Sequence, residues 1–419
     1  CMDGLFFPDR TPHSGAKQMK NCYRPVRCRK IADNRYQFFN HNYFENAALS
    51  VKYTYFTNGV ETYSSTFDVN IAPQSSQEYE IDSLELEKDN HNSVVFEYLA
   101  GDFLIASEQI ILSEGKLSAD INSDGKTTVK PSENKLYITF DNGSMIFDKS
   151  TGFITSYIYK NHEMINSFPL GDFKGFAPAF YRAPLDNDRN ICKYWHTMGL
   201  QNTSNICKGS NFTDNGDNIV ITTNIKSIAN CILPVANTQI KYTIYPNGNI
   251  LVDVNCLGGG AVKLLPRFGV MLEMPKEYEN IKYFGLGEDV NLPDYKEHTI
   301  NKVYQTTVDK LKEDYIKPQE SATRCDVRFA EITNASGFGL RFEAVNKPFI
   351  FSASHYTSNQ WAKAMHRDDL VDLPTTCVNI DSSVLGAGSN ACGPLPDKKD
   401  RVGSLSGKKL SFVVKPIGE

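Results

Sequence analysis

The sequence is dominated by segments in which apolar and polar residues alternate, with Asn-Gly pairs between them. One such segment covers residues 49–56, Asn58-Gly59 follows it, and the alternation resumes over residues 67–71. Alternation of this kind buries one face of a β-strand, and an Asn-Gly pair supplies the positive φ angles of a two-residue hairpin turn. The pattern therefore predicts a mainly β protein. The pair recurs at Asn142-Gly143, Asn215-Gly216 and Asn247-Gly248.

Composition and charge narrow the class of protein. The 419 residues carry a formal net charge of −5, with 41% hydrophobic and 22% charged residues. These values are typical of globular proteins, and such a mild charge argues against a nucleic-acid or membrane-surface partner. No run approaches the roughly 18 apolar residues that cross a membrane. The ten cysteines include no C-x-x-C pair, which argues against zinc-knuckle and thioredoxin-like sites and predicts reduced thiols in a cytoplasmic protein.

The distribution of strands and polar segments predicts four parts. Residues 1–20 form a loop and a short helix, and residues 21–115 form one immunoglobulin-like β-sandwich. Residues 116–132 form a linker, and residues 133–419 form one large two-sheet sandwich. The linker imitates the start of a calcium loop but has a proline where the final glutamate is needed, so we interpret it as a plain linker. A helix as short as the first one is marginal alone in water and needs a packing partner.

One helix is predicted inside the large sandwich, over residues 357–367. Thr357 and Gln360 have the spacing of a capping box at its start. His366 and Arg367 are basic and complement the helix dipole at its far end. These signals predict both ends of the helix.

Residues 180–190 join an apolar run to a cluster of charged side chains. An apolar run from Phe176 to Tyr181 leads directly into two aspartates and two flanking arginines. A buried strand that ends in a polar turn presents side chains at the edge of a sheet. Arg182 can pair with Asp186 or with Asp188 to hold this turn. From these residues alone, a capped surface turn and a functional site are both possible.

Residues 182–188, which read RAPLDND, resemble a signature of the C-terminal part of large bacterial, lactose-operon type β-galactosidases in glycoside hydrolase family 2. Five other stretches agree with this family and follow its order. The family's usual Pro-x-Glu-x-Tyr is missing before Asp294, so residues 283–294 are predicted to be structural. The five stretches are Cys1–Leu5 with Pro8–His13, Tyr283–Gly287, Tyr315–Glu320, Phe351–Thr357 and Leu385–Pro394.

The resemblance implies a fold and an activity. Residues 1–20 would be the last loop and helix of a TIM barrel, followed by an immunoglobulin-like sandwich and a galactose-mutarotase-like supersandwich. The full-length protein would be a β-galactosidase that hydrolyses terminal β-D-galactosides such as lactose with retention. It would be a homo-oligomer that uses Mg²⁺ and Na⁺. The catalytic glutamate pair would lie upstream of Cys1, so this chain alone is predicted to be inactive.

The resemblance also assigns residues to the rim of the galactoside pocket. Asp3 matches a position whose side-chain oxygen binds a monovalent cation near the sugar, and an oxygen ligand suits a hard cation. Asp186, Asn187 and Asp188 would lie on a loop near the same rim. Cys392 occupies a position where some family members have a tryptophan, and a thiol offers far less stacking area than an indole. Strong stacking on the sugar is therefore not expected there.

Two other classes of function remain open. A large β-sandwich in which 11% of residues are aromatic suits a carbohydrate-binding module without hydrolytic activity. A sugar-modifying enzyme related to aldose mutarotases is the other class, and it would require a histidine and a carboxylate that converge in one concave site. The barrel-like residues 1–13 favour the β-galactosidase interpretation, since a separate binding module has no use for them.

Overall fold

The computed structural model describes residues 5–117, 121, 124–165, 175–389 and 391–418. The chain divides into two units. The first unit takes the residues up to Lys116 together with Phe284–Asp289 and Tyr295–Tyr304, and the second unit takes the rest. The predicted division at residues 20, 115 and 132 stays a prediction.

The described part of the first unit contains one helix and two antiparallel sheets. The sheets have the strand orders β1-β2-β5 and β4-β3-β6-β7, and together they have the seven strands of a small immunoglobulin-type sandwich. The elements are α1 (Ser14–Cys22), β1 (Val26–Lys30), β2 (Arg35–Asn40), β3 (Ala47–Thr57), β4 (Val60–Ile71), β5 (Ser76–Glu80), β6 (His91–Ala100) and β7 (Phe103–Glu114).

The core of the first unit follows from the alternation in the sequence. Val51, Tyr53 and Tyr55 on β3 are buried, and they pack with Phe38 of β2 and Phe96 of β6 in one hydrophobic cluster. Asn58 and Gly59 both have positive φ angles and connect β3 to β4, so the predicted hairpin turn is confirmed.

Helix α1 finds its packing partner inside the same unit. The backbone N–H of Ser107 on β7 donates to the side chain of Asn21 at 3.2 Å. Arg24, just after the helix, forms a largely buried ion pair with Glu108 of β7 at 3.2 Å. The helix is therefore held by the neighbouring sandwich. Its predicted origin as the end of a TIM barrel stays a prediction.

Among the described residues, three further sheets lie mainly in the second unit. Two have five strands, in the orders β12-β11-β10-β9-β8 and β13-β18-β25-β24-β21, and the third has the order β14-β15-β16-β17-β26-β23-β22-β19-β20. The strands are β8 (Thr128–Pro131), β9 (Lys135–Phe140), β10 (Gly143–Asp148), β11 (Phe153–Tyr159), β12 (His162–Glu163), β13 (Ala177–Ala179), β14 (Thr203–Asp214), β15 (Ile219–Ala229), β16 (Leu233–Ile244), β17 (Ile250–Gly259), β18 (Arg267–Pro275), β19 (Asn280–Gly287), β20 (Ile300–Thr307), β21 (Arg324–Val327), β22 (Phe329–Thr333), β23 (Gly339–Ala344), β24 (Phe349–Ser354), β25 (Thr375–Val384) and β26 (Lys409–Ile417).

Helices in the second unit are short and lie in the connections between strands. Strand β8 falls inside the predicted linker, where it pairs with β9. The predicted calcium-like motif begins at residue 120, which lies outside the described residues. The helices are α2 (Cys192–Met198), α3 (Val308–Leu311) and α4 (Ser358–Lys363), with 3₁₀ turns at Asp186–Asp188, Leu200–Asn202, Arg367–Asp369 and Lys398–Asp400.

Two local predictions need correction. Helix α4 begins at the predicted capping box, but it ends at Lys363 and does not continue to Arg367. The backbone N–H groups of Met365 and His366 donate instead to the carboxylate of Asp369, which ends a separate 3₁₀ turn over Arg367–Asp369. The hairpin predicted at Asn142-Gly143 turns one residue earlier, because Gly143 is already paired in strand β10.

The prediction of a mainly β chain is confirmed, since residues in paired strands far outnumber helical residues in both units. No helix in the described ranges is long and apolar enough to cross a membrane.

Candidate functional site at a turn and a glycine-rich loop

A buried ion pair organises the turn that follows strand β13. Arg182 and Asp188 are both 0% exposed, and Arg182 Nη1 lies 2.6 Å from Asp188 Oδ2. The same carboxylate oxygen accepts the backbone N–H of Leu185 at 2.8 Å. The sequence left Asp186 and Asp188 as equal partners for Arg182, and the structure selects Asp188. The carboxylate of Asp188 therefore faces the protein interior, whereas Asp186 is exposed.

The guanidinium of Arg182 joins this turn to a distant part of the chain. It donates to the carbonyl oxygen of Ala183 at 3.0 Å and to that of Leu385 at 3.2 Å. It also lies 5.6 Å above the ring of the buried Trp195 on α2. Leu385 is the first residue of the glycine-rich loop, which we define as residues 385–389 and 391–394. The ion pair thus anchors one end of that loop.

Side chains from two other segments hold the centre of the glycine-rich loop. Asn187 Nδ2 donates to the carbonyl oxygen of Gly388 at 2.7 Å. The carboxylate of Asp294 accepts the N–H groups of Ala387 and Gly388 at 2.6 and 2.8 Å. Gly388 has a φ of +58°, and a Cβ there would lie 2.6 Å from Pro396. The structure therefore brings together the turn and the loop that the family resemblance assigns to one rim.

The individual candidate residues have different surroundings. Asp186 exposes its side chain, and its backbone N–H donates to Gln319 Oε1 at 2.8 Å. Cys392 is an exposed free thiol whose N–H donates to the carbonyl oxygen of Ser389 at 3.1 Å. Asp3 lies outside the described residues.

Sequence reasoning missed Asp294 and Gln319 as contacts of this region. Asp294 belongs to the stretch predicted to be purely structural, and Gln319 belongs to a motif that matched the family. Both positions agree with the family, but this agreement does not indicate which groups they contact.

A second group of polar side chains is buried on the five-stranded sheet that contains β18 and β25. Arg267 Nε lies 3.0 Å from Asp381 Oδ2, and Arg267 Nη2 lies 3.8 Å from Glu320. Burial raises the pKa of Asp381 to about 7, and the charge of Arg267 opposes this rise without cancelling it. Burial also raises the pKa of Glu273, which is 3% exposed, to about 7.

These buried carboxyl groups do not have the geometry of a retaining glycosidase. Such enzymes need two carboxyl groups about 5–5.5 Å apart on either side of a sugar. Gly269 pairs with Asp381 across the sheet, and Glu273 lies four residues further along the same strand, about 13 Å away. Asp381 and Glu320 share Arg267 but are shielded from solvent. Two signals in the sequence pointed to this group: Glu273 interrupts an apolar run of β18, and Glu320 lies in a stretch that matches the family.

A metal site needs several ligating side chains that converge on one point. Among them, no three histidine, cysteine, aspartate or glutamate side chains lie in an arrangement that could hold a metal ion. The nine cysteines in this part of the chain, from Cys22 to Cys392, are all free thiols. The residues of the candidate site offer hydrogen bonds and one ion pair.

Comparisons with known proteins identify the family. The family model for the β-galactosidase small chain matches residues 139–414. The chain belongs to the β-galactosidase small chain family. It is 30% identical over 410 residues to a β-galactosidase of Actinobacillus pleuropneumoniae, and this match covers 94% of the chain and 39% of the relative. It is 25% identical to a β-galactosidase of Staphylococcus xylosus, with 94% of the chain and 40% of the relative covered.

The chain thus spans about two fifths of the length of the curated relatives that it matches. Among solved structures, a galactose 1-epimerase from Lactobacillus acidophilus aligns with 70% of the chain and 99% of its own length, at a TM-score of 0.41 and 8% identity.

Proposed function

We propose that this chain is the C-terminal, non-catalytic portion of a β-galactosidase of glycoside hydrolase family 2. The complete protein would hydrolyse terminal β-D-galactosides such as lactose with retention, using a glutamate pair upstream of this chain. The observation that carries the proposal is the family match together with its coverage. The chain is matched over 94% of its length by a β-galactosidase of which it covers only 39%.

The role proposed for this portion is to form part of the rim of the galactoside site. The turn at Asp186–Asp188 and the loop that carries Cys392 are tied to each other by the bond from Asn187 to Gly388. The residues of a rim bind substrate only if they keep a fixed position, and packing and hydrogen bonds from the residues beneath them provide this. The buried pair of Arg182 and Asp188 supplies this support. In this role Asp186 and Cys392 are the exposed groups, while Asn187 and Asp188 position them.

Hydrolysis of a chromogenic β-galactoside tests the proposal. The purified chain is assayed alone and after mixing with the upstream portion of the same β-galactosidase. We expect no turnover by the chain alone and turnover by the mixture. A catalytically dead upstream portion, with its two glutamates replaced by glutamine, is the matched control and should remain inactive in the mixture.

Two results would contradict the proposal. Turnover by the chain alone would show that a catalytic group lies within it. Absence of turnover in the mixture, combined with saturable galactose binding by the chain alone, would favour a carbohydrate-binding module.

A further inference from the structure

We propose that Asp294 is the positioning residue for the glycine-rich loop, and that it sets the affinity of the galactoside site through that loop. The second part of this inference depends on the proposed function. Asp294 contacts no group assigned to catalysis. It acts on the backbone that carries Cys392.

The contacts of Asp294 have the form of an anion held by a backbone concavity. Its two carboxylate oxygens accept consecutive N–H groups, Ala387 N at 2.6 Å and Gly388 N at 2.8 Å. Gly388 is in the left-handed region with a φ of +58°. Successive N–H groups next to a left-handed residue point to one side and attract an anion. Hydrogen bonds to a charged carboxylate are shorter and stronger than neutral ones, which fits both distances.

Gly386 shows that the loop is shaped around this carboxylate. A Cβ at position 386 would lie 2.5 Å from Asp294 Cγ and Oδ1, a separation that real Cβ atoms essentially never show. Gly386 does not have a left-handed φ, so it is not needed for a turn. The absent side chain instead gives the carboxylate room to approach the backbone.

The other contacts of the loop involve groups different from the N–H groups that Asp294 binds. The first residues are fixed by backbone bonds from Leu385 N to Pro266 O and from Gly386 N to Asp400 O. Asn187 binds the carbonyl side of Gly388, whereas Asp294 binds its N–H side. Without the carboxylate, the N–H groups of Ala387 and Gly388 would bind water instead. The loop would then sample more conformations, and its exposed thiol would lose a fixed position.

Amide hydrogen exchange tests the positioning role without any need for activity. In the 419-residue chain, Asp294→Ala and Asp294→Asn are expected to speed exchange of the peptide that covers Ala387 and Gly388, several-fold for asparagine and about tenfold for alanine. Asp214→Asn is the matched control, because Asp214 also accepts a backbone N–H at a glycine turn, that of Gly216 at 2.9 Å. It should leave this peptide unchanged. Unchanged exchange in both Asp294 variants would overturn the positioning role.

Kinetics of the mixture with the upstream portion test the effect on the substrate. A loosened rim weakens the ground state and the transition state alike, so KM is expected to rise several-fold while kcat changes less than twofold. Faster exchange with unchanged KM would overturn the link to substrate. No turnover by the wild-type mixture would overturn the proposed function and the link together, while the exchange experiment would still decide the positioning role.

Discussion

The buried pair of Arg182 and Asp188 allows a stability effect to be worked out from the structure. Both side chains are 0% exposed, and their charged atoms are 2.6 Å apart. Asp188→Asn keeps the shape of the side chain but removes its charge, so the guanidinium is left uncompensated in the interior. Breaking such a pair from one side costs about 3–5 kcal/mol. The weakened bond from Leu185 N is included in this range, because the carboxylate oxygen serves both donors.

Urea unfolding monitored by tryptophan fluorescence measures this loss, since both tryptophans of the chain, Trp195 and Trp361, lie in the second unit. The control is Asp372→Asn, which breaks an ion pair with Lys276 of the same length, 2.6 Å, between half-exposed side chains. We expect about 0–1 kcal/mol there. A loss below about 1 kcal/mol for Asp188→Asn would refute the reasoning from burial.

A double variant separates the missing charge from the missing contacts. Arg182→Met removes the guanidinium and fills part of its volume with apolar atoms. If an uncompensated charge is the main cost of Asp188→Asn, the double variant should lose less free energy of unfolding than the two single variants lose in sum. Fully additive losses would show that the two residues act independently.

The remaining predictions concern a buried acid, a helix cap and a glycine. Because burial raises the pKa of Glu273 to about 7, its contribution to the free energy of unfolding is largest at low pH. This contribution is lost as the pH rises to about 7. In urea unfolding, the free energy of unfolding of Glu273→Gln relative to wild type should therefore rise by about 2–3 kcal/mol from pH 5 to pH 8. A difference that stays constant with pH would contradict this. Thr357→Ala removes the side-chain acceptor of Gln360 N and should lower the free energy of unfolding by about 1 kcal/mol, whereas Ser in its place should retain most of it. Gly386→Ala should displace the carboxylate of Asp294 and speed amide exchange at Ala387, with no further effect when Asp294→Ala is added.

Local patterns predicted the strands and turns well where they depend on neighbouring residues. Val51, Tyr53 and Tyr55 alternate in sequence and are buried together, because a strand turns every second side chain to the same face. The same reasoning misplaced the turn near Gly143. A Cβ on that glycine would lie 2.3 Å from the carbonyl oxygen of Ile158, so the glycine serves packing within the sheet and not the turn. An Asn-Gly pair alone does not show whether its glycine forms the turn or allows close packing.

The end of α4 shows the corresponding limit for helices. Its capping box at Thr357 is a contact over three residues, and the sequence predicted it correctly. The last turn was predicted from the charges of His366 and Arg367. A stronger interaction determined the outcome, since Asp369 accepts two backbone N–H groups and redirects the chain.

The candidate site depends on contacts that local patterns do not contain. Asn187 and Gly388 are 201 residues apart, and only the order of family motifs suggested that they meet. The partner of Arg182 could not be chosen from spacing, because both aspartates are within reach of its side chain. The choice follows from burial: Asp188 is enclosed with the arginine, whereas Asp186 remains in solvent, where a carboxylate is already well hydrated.

The same physical argument accounts for the different roles of three carboxylates in the second unit. Asp188 faces a cation in the interior and stabilises the fold as half of an ion pair. Asp294 faces two N–H groups at the surface and fixes a loop. Glu273 is buried, no described cation forms an ion pair with it, and burial raises its pKa instead. Since the residue type is nearly constant, the surroundings decide whether a carboxylate contributes to stability, to positioning or to pH dependence. Those surroundings are assembled from segments that can lie far apart in the chain, so the local sequence does not determine each role.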